Sequence, residues 1–598
     1  MIGAPHSCLV SYLKVNDLSF LIGGEAGAGI SRSGFLFAKA SMRGGLHVFG
    51  ANEYQSLIRG GHNSYTVRVS GEEIRSQADQ ISLLIALNAE TVMLHKHELV
   101  ASGGIICDQE DVNLSTESLS RQDLKIFPIP LRKIVVDELK EPHNLIMRNT
   151  VALGAANALT NYDSALLEEI LKETFKPEIA ESNIKAARMG YDYVKKNFEN
   201  DFQFQLKKTA SAGKRRIFLS GNEAIGLGAL RAGCKFFAAY PMTPTTGLLH
   251  FMTSNERDYN MIAMQPEGEI AAINMIAGAA HAGVRAMTAT SGGGFCLMSE
   301  GVGMTGMTET SVVIMVGQRP GPSTGLPTYS AQGDLRFVIH AGQGEYPRVV
   351  IAPGDLEECF YETMRAFNWA EKYQIPVILL TDKYVAERET SAEPFDMDRV
   401  KIERGLFMNG QYGSDEKEYS RYEVTETGVS PRAVPSAKRA IVHANSDEHD
   451  EHGITSEDPN VTTMMMDKRL RKLQTMVREF EEREVETTKF YGPEEAQATI
   501  ISWGSTKGPI REAMKILAPE GIAVNFLQIL YLHPFPKAKA EKALEKAKKT
   551  IVVEQNKTSQ LSSLIREHLL RKPDHKILKY DGRPFSPEHL SERIKEAL

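Results

Sequence analysis

One pattern recurs along the chain and limits what it can fold into: a short apolar run, a turn built from Gly, Ser, Thr or Pro, and then a helical pattern. Leu18 to Ile22 runs into Gly23-Gly24-Glu25-Ala26-Gly27-Ala28-Gly29 and the helix-like Ser33 to Ala40. Arg216 to Ser220 reads as a strand, Gly221 to Ala224 as a turn and Ala224 to Ala232 as a helix, and Ala498 to Ser505 starts a third such cycle. Strands that alternate with helices in this way build parallel sheets covered by helices, so the fold class is multidomain α/β. At 598 residues the chain exceeds what a single core serves, and a prior near 150 residues per domain gives about four units. No 20- to 50-residue repeat is visible, which disfavours a solenoid.

The expected divisions are residues 1–205, an α/β domain; 214–395, a second α/β domain; 396–490, a charged excursion; and 491–598, a last α/β unit. Within the excursion, Arg404 to Ser456 is polar and turn-rich, and Thr463 to Val485 predicts an exposed helix from its mixed charges and spaced apolar residues. His443, His449 and His452 lie there in an acidic run, and three histidines in a solvated charge run are not read as a metal site.

Composition excludes several classes. Lys and Arg number 69 against 76 Asp and Glu, a net charge of −7, which leaves no broad basic surface for nucleic acid. Apolar stretches such as Val312 to Val316 are far shorter than the roughly 20 residues of a membrane helix, and the first twenty residues show no secretory signal. Five cysteines stand far apart with no CxxC among them, so a cytoplasmic setting is expected and neither disulfides nor cysteine-ligated clusters are.

Chemistry concentrates at strand ends. Gly24, Gly27 and Gly29 would let backbone amides approach an anion at a helix N-terminus, although a tight strand-to-helix turn explains them equally and the spacing is not that of a dinucleotide fingerprint. Arg59 and His62 flank Gly60-Gly61, a cluster for phosphate or carboxylate, or a polar turn. Tyr240-Pro241-Met242-Thr243-Pro244 follows an apolar run, at the sheet edge where open α/β folds bind ligands. Its two prolines would hold the Thr243 hydroxyl, while a loop whose threonines cap the helix at Gly247 is the other reading. Glu267 and Glu269 head an apolar, small-residue helix expected to be buried on most faces. The helix dipole accounts for one carboxylate, and the second calls for a function. Thr288 to Gly294 and Gln318 to Thr328 add two further strand-end loops, and the three edges read as walls of one pocket.

Taken in order, these segments resemble the 2-oxoacid:ferredoxin oxidoreductases, in particular the alpha chain with a gamma-type domain fused ahead of it. Gly24 to Gly29 and Ser56 to Ser64 resemble the gamma domain. Tyr240 to Pro244 is similar to the alpha hallmark, as are Glu269-Ile-Ala-Ala, Thr288 to Gly294 and Gly321 to Thr328. Ser502 to Gly508 resembles the transketolase C-terminal-like domain. The resemblance implies a gamma-type domain, a thiamine-diphosphate (pyrimidine-type) domain and a transketolase C-terminal-like domain. The implied reaction is CoA-dependent oxidative decarboxylation of a 2-oxoacid, with electrons passed to ferredoxin.

By the same resemblance Glu269 bonds N1′ of the aminopyrimidine, with Glu267 as the alternative. Thr243 donates near the reacting oxygens, Arg319 takes the substrate carboxylate, and Tyr240 and Tyr329 line the substrate. Gly24, Gly27, Gly29 and Arg59 contact a cofactor. Glutarate-type relatives carry a basic residue after Leu-Pro-Thr, where this chain has Tyr329 and Ser330, so a cation for a distal carboxylate is missing there and shorter 2-oxoacids stay open. No Gly-Asp-Gly with a downstream Asn pair is present to hold magnesium and the diphosphate. The resemblance assigns Mg2+, shared thiamine diphosphate and a [4Fe-4S] cluster to a beta subunit, in an alpha–beta heterodimer or an (alpha–beta)2 heterotetramer. A related arylpyruvate oxidoreductase and a non-catalytic CoA- or nucleotide-binding scaffold are the alternatives.

Overall fold

A computed structural model of the chain describes residues 14–57, 60–108, 110, 119–408, 418–435, 437–438 and 440–598. These form two compact units: the first runs to Phe218 and takes in residues 389–394, and the second holds 219–388 and 395–598. Arg59 lies outside the described residues.

The first unit is built on an eight-stranded sheet. Its order is Lys125–Ile129, Leu99–Asp108, Ile81–Ala86, Asp17–Glu25, His62–Ser70, His47–Glu53, Glu389–Ala392 and Ile217–Ser220. The strands up to Asp17–Glu25 pair in parallel; His62–Ser70, His47–Glu53 and Glu389–Ala392 then follow antiparallel. Helix Arg148–Leu159 is buried along almost its whole length, as its Ala- and Gly-rich sequence permits: Gly154 faces the Ala187 backbone and Gly190 the Val151 carbonyl, so any Cβ there would collide.

The second unit carries two sheets over a shared core. The larger runs Ile262–Met264, Cys234–Ala238, Arg285–Ser291, Val312–Gln318, Pro376–Asp382, Val349–Ile351 and Tyr531–His533, all parallel except the last. Val312–Gln318 and Pro376–Asp382 are buried at every residue, which is why they read as unbroken apolar runs and not as alternation. A five-stranded sheet, Thr488–Tyr491, Val524–Ile529, Ala498–Ser502, Thr550–Glu554 and His575–Leu578, completes the unit, and Trp503, Leu527, Leu532 and Val552 join the same apolar cluster as Ile314 and Val316.

Three local expectations change. No turn intervenes at Gly221: the helix spans Gly221–Arg231 directly, because Ser220 and Glu223 close a reciprocal capping box. Glu269–His281 is not buried on most faces; Ile270, Asn274, Met275 and Gly278 form an open stripe, with Ile270 59% exposed.

The third change is in the charged excursion. The helix there spans Pro459–Glu482, capped by Asp458, and is not exposed: Met465, Lys468, Arg469, Lys472, Met476 and Phe480 are buried. Lys468 and Lys472 both reach Glu309, the former at 2.6 Å. Burial pushes the Glu309 carboxyl up, but the two ammonium groups outweigh it and hold it well below the usual carboxylate range. Arg285, Arg404 and Arg432 likewise converge on buried Glu371, Arg285 at 2.7 Å and Arg432 at 2.9 Å. The charges that mark this segment as solvated in sequence are therefore paired inside.

Candidate active site at the carboxyl edge of the parallel sheet

Four connections meet where the strands of the seven-stranded sheet end. Helix Glu269–His281 begins with Glu269 directly after Gly268, whose φ of −178° is extended backbone. The Glu269 side chain is only 4% exposed and Oε1 has no hydrogen-bond partner. It lies over Gly294, the third residue of helix Gly292–Met307: a Cβ there would fall 2.5 Å from Oε1 and would also collide with the Thr290 hydroxyl. Glycine at 294 is thus what lets the carboxylate in. Glu267, two residues earlier, is exposed.

Thr288 Oγ1 and Ser291 Oγ on strand Arg285–Ser291, and Asn222 Oδ1 on helix Gly221–Arg231, are also buried without partners. Buried polar groups are ordinarily satisfied, and unpaired ones cost about 1–3 kcal/mol each.

The turn after Cys234–Ala238 supplies Thr243. Helix Thr246–Ser254 follows, but the threonines do not cap it: Thr245 Oγ1 donates back to the Met242 carbonyl at 2.9 Å, and the Thr243 hydroxyl is bonded to no described residue. Thr290 Oγ1 lies 4.0 Å from Met242 Sδ, which brings this turn beside the Glu269 pocket. Tyr240 is exposed at the same edge.

Arg319 directly follows strand Val312–Gln318, and its placement differs in part from expectation. Its fork is not wholly free: Nη1 donates to the Thr243 carbonyl at 2.9 Å. Burial lowers its pKa, opposed by Asp334. Asp334, which the motifs did not single out, sits over Gly292 at the head of the same helix. Arg319 therefore ties two loops of this edge together with one arm.

Tyr329 is half-buried, beside a residue from far along the chain. Arg583, from the loop after His575–Leu578, lies with its guanidinium 4.0 Å from the Tyr329 ring centroid, and Ser330 N–H donates to the Gly582 carbonyl at 3.0 Å. A guanidinium reaches that place through space, from far along the chain.

In the first unit, Gly24 is a strand residue packed on Ile30 and Leu87, and Gly29 packs on Ile146, so both have close neighbours; Gly27, at φ +88°, faces open space. Asn149 Nδ2 fastens this turn through the Ala28 carbonyl at 2.7 Å. His62 Nε2 meets His95 Nε2 at 2.8 Å, and His95 Nδ1 meets Glu98 at 3.0 Å. His449 of the acidic run is buried against Tyr422, and no group of three or more His, Cys, Asp or Glu among the described residues could hold a metal ion.

Fold and site together place the chain among the open α/β proteins whose ligands sit outside the carboxyl ends of parallel strands, here with a carboxylate, a guanidinium and a glycine-headed helix converging. Residues 227–468 match the pyruvate flavodoxin/ferredoxin oxidoreductase thiamine-diphosphate-binding family, residues 19–193 the pyruvate ferredoxin/flavodoxin oxidoreductase family, and 496–590 the pyruvate:ferredoxin oxidoreductase core domain II. The 2-oxoacid:ferredoxin oxidoreductase alpha subunits of a Sulfolobus species and of Sulfurisphaera tokodaii are each 34% identical, over 97% of this chain and 97% and 98% of theirs. The structure of 2-oxoglutarate:ferredoxin oxidoreductase from Magnetococcus marinus with 2-oxoglutarate, coenzyme A and succinyl-CoA bound superposes with a TM-score of 0.89 at 34% identity, covering 97% of this chain and 99% of that one. The chain belongs to the alpha subunits of the 2-oxoacid:ferredoxin oxidoreductases.

Proposed function

We propose that this chain supplies the pyrimidine-binding and carboxylate-binding half of a 2-oxoacid:ferredoxin oxidoreductase. The reaction converts a 2-oxoacid, CoA and two oxidised ferredoxins into acyl-CoA, carbon dioxide, two reduced ferredoxins and a proton. The observation that carries the reading is Glu269: a buried carboxylate with one oxygen unpartnered, at a place that only glycine at 294 keeps open. Such an oxygen fits the ring nitrogen of an aminopyrimidine, which shares a proton with it. Bound thiamine diphosphate supplies the carbanion chemistry. Glu269 would hold that proton, the free N–H groups of Arg319 would bind the substrate carboxylate bidentately, and the Thr243 hydroxyl would donate where negative charge develops on oxygen. Tyr240 lies at the mouth.

A beta subunit that brings magnesium, the diphosphate site and an iron–sulfur cluster completes the reading. The four described cysteines, Cys107, Cys234, Cys296 and Cys359, are separate free thiols, which supports a cluster held elsewhere and a reducing, cytoplasmic setting. The apolar side chains exposed around the site, Ile262 and Met264 on the edge strand and Ile270 and Met275 on the helix, give such a partner a surface. No described helix is long and apolar enough to cross a membrane.

The test uses the chain assembled with its beta subunit. Glu269→Ala should abolish CoA-dependent reduction of a low-potential acceptor and weaken thiamine diphosphate binding, while Glu267→Ala should leave both near wild type. Full activity in Glu269→Ala would sink the reading.

A further inference from the structure

The turn that carries Thr243 is held by its carbonyls, three in a row. The Met242 carbonyl accepts from the Thr245 amide and from the Thr245 hydroxyl, both at 2.9 Å. The Thr243 carbonyl accepts from Arg319 Nη1 at 2.9 Å, and the Pro244 carbonyl accepts from Asn222 Nδ2 at 2.9 Å. Thr245 and Arg319 belong to the loops of the site. Asn222 does not: it is the second residue of helix Gly221–Arg231 and stands 22 residues before the proline it holds.

The fold fixes Asn222 from several sides. Its side chain is buried, and glycine at 221 lets the helix start against the Val385 carbonyl, with which any Cβ would collide. The capping box holds the same turn, the Ser220 amide donating to Glu223 Oε2 at 2.7 Å. Gly247 leaves room for the amide, since a Cβ there would fall 2.8 Å from Asn222 Nδ2. Across the turn, Gly317 does the same for its partner: a Cβ would lie 2.9 Å from Pro244 Cγ and 2.7 Å from Thr245 Cγ2. Proline has no N–H, so the amide must turn Nδ2 toward it. Asn222 Oδ1 is thereby left buried without a partner, a cost that helix packing alone does not require.

Threonine hydroxyls ordinarily bond back to a nearby carbonyl, as Thr245 does here. The three carbonyls of this turn each have a donor already, and the Thr243 hydroxyl is bonded to no described residue. We propose that Asn222 is a positioning residue for Thr243: by holding the Pro244 carbonyl it fixes the peptide that follows Thr243 and keeps the Thr243 hydroxyl presented to a ligand, not folded back on its own turn. Asn222 acts through the turn and takes no part in the chemistry itself. A donor displaced by about 1 Å at a reacting centre loses on the order of 10²-fold in rate, so the clamp bears on kcat. This inference rests on the role proposed above for Thr243.

The test is a double-mutant cycle on the chain assembled with its beta subunit, read as CoA-dependent reduction of a low-potential acceptor. Asn222→Ala should lower kcat by about 10- to 100-fold while the KM for CoA and the affinity for thiamine diphosphate stay near wild type. Thr243→Val should lower kcat by roughly 10²-fold. The two losses should not combine: the double variant should turn over like Thr243→Val alone, because Asn222 works only through that hydroxyl. Losses that multiply, as those of an independent packing defect would, overturn the role of Asn222, and so does wild-type kcat in Asn222→Ala. Wild-type kcat in Thr243→Val overturns the Thr243 reading itself. Gly247→Ala reaches the clamp without touching Asn222 and adds a residue that helices favour, so it keeps the test open if Asn222→Ala fails to fold. It too should lower kcat, with no further loss in the Thr243→Val background, and a further loss there overturns the proposal.

Discussion

Gly294→Ala is the sharpest perturbation of the site, because a single methyl group is aimed at the carboxylate. The added Cβ would lie 2.5 Å from Glu269 Oε1 and 2.8 Å from its Cγ, whereas ordinary contact begins near 3.4 Å. Oε1 must withdraw by about 0.9 Å, which takes a hydrogen bond of normal length at that oxygen out of range. Misplacement of about 1 Å costs on the order of 10²-fold in rate, or about 2.7 kcal/mol of barrier. Stability should move less: alanine is favoured over glycine in a helix by about 0.8–1 kcal/mol, against about 1–3 kcal/mol for the overpacking at Thr290. The assay is kcat of the assembled enzyme with a low-potential acceptor, beside thiamine diphosphate titration and a thermal melt. Gly303→Ala, in the same helix with only Gln343 Oε1 at 3.8 Å, serves as the control and should keep full activity. Wild-type kcat and cofactor affinity in Gly294→Ala would refute the placement of Glu269 as the group that needs this space.

Three further outcomes follow from other parts of the second unit. Burial, partly offset by Glu309, lowers Lys472 to about 7 from the usual 10.5. The unfolded chain then holds the proton more tightly, so stability is penalised below pH 7 and rises between pH 7 and 10, by at most about 1.4 kcal/mol per pH unit. Melting temperature should rise over that window, and Lys472→Met should flatten the rise; an unchanged slope in the variant would discount Lys472. Glu309→Gln leaves the buried Lys468 and Lys472 without their anion and should cost about 3–5 kcal/mol in the melt. At the open stripe, Ile270→Asp should block assembly with the beta subunit, read by size-exclusion chromatography, while the isolated chain melts as wild type; normal assembly would remove this face from the interface.

What the sequence made legible was local. Strand, turn and helix alternate within a few residues, so the cycles at Leu18, Arg216 and Ala498 could be read directly, as could Glu269 at the head of an apolar helix. Contacts across long separations could not be read. Tyr531–His533 joins the seven-stranded sheet beside Val349–Ile351, and Glu389–Ala392, though flanked in sequence by second-unit residues, pairs with His47–Glu53 in the first unit's sheet. Lys468 and Lys472 look solvated because a charge run carries no sign of a partner at Glu309, more than a hundred residues earlier in the chain. Asp334 carries no sign of its neighbour for the same reason, since only the fold brings Gly292 to it.

The apolar helix at Glu269 shows how such a misreading becomes informative. Mean apolarity predicts burial, but burial needs a partner surface, and along Ile270, Met275 and the edge-strand residues Ile262 and Met264 the chain itself does not supply one. In the same unit Glu269 Oε1, Thr288 Oγ1 and Ser291 Oγ are buried without hydrogen bonds. The two deficits differ in kind. Exposed apolar surface is relieved by a protein face, and unpaired buried oxygens by a ligand with complementary donors. A chain selected only for its own stability would remove both by substitution, since each is costly. Both deficits in one unit fit the proposed half-site, in which a partner face and a ligand would each relieve one of them on assembly.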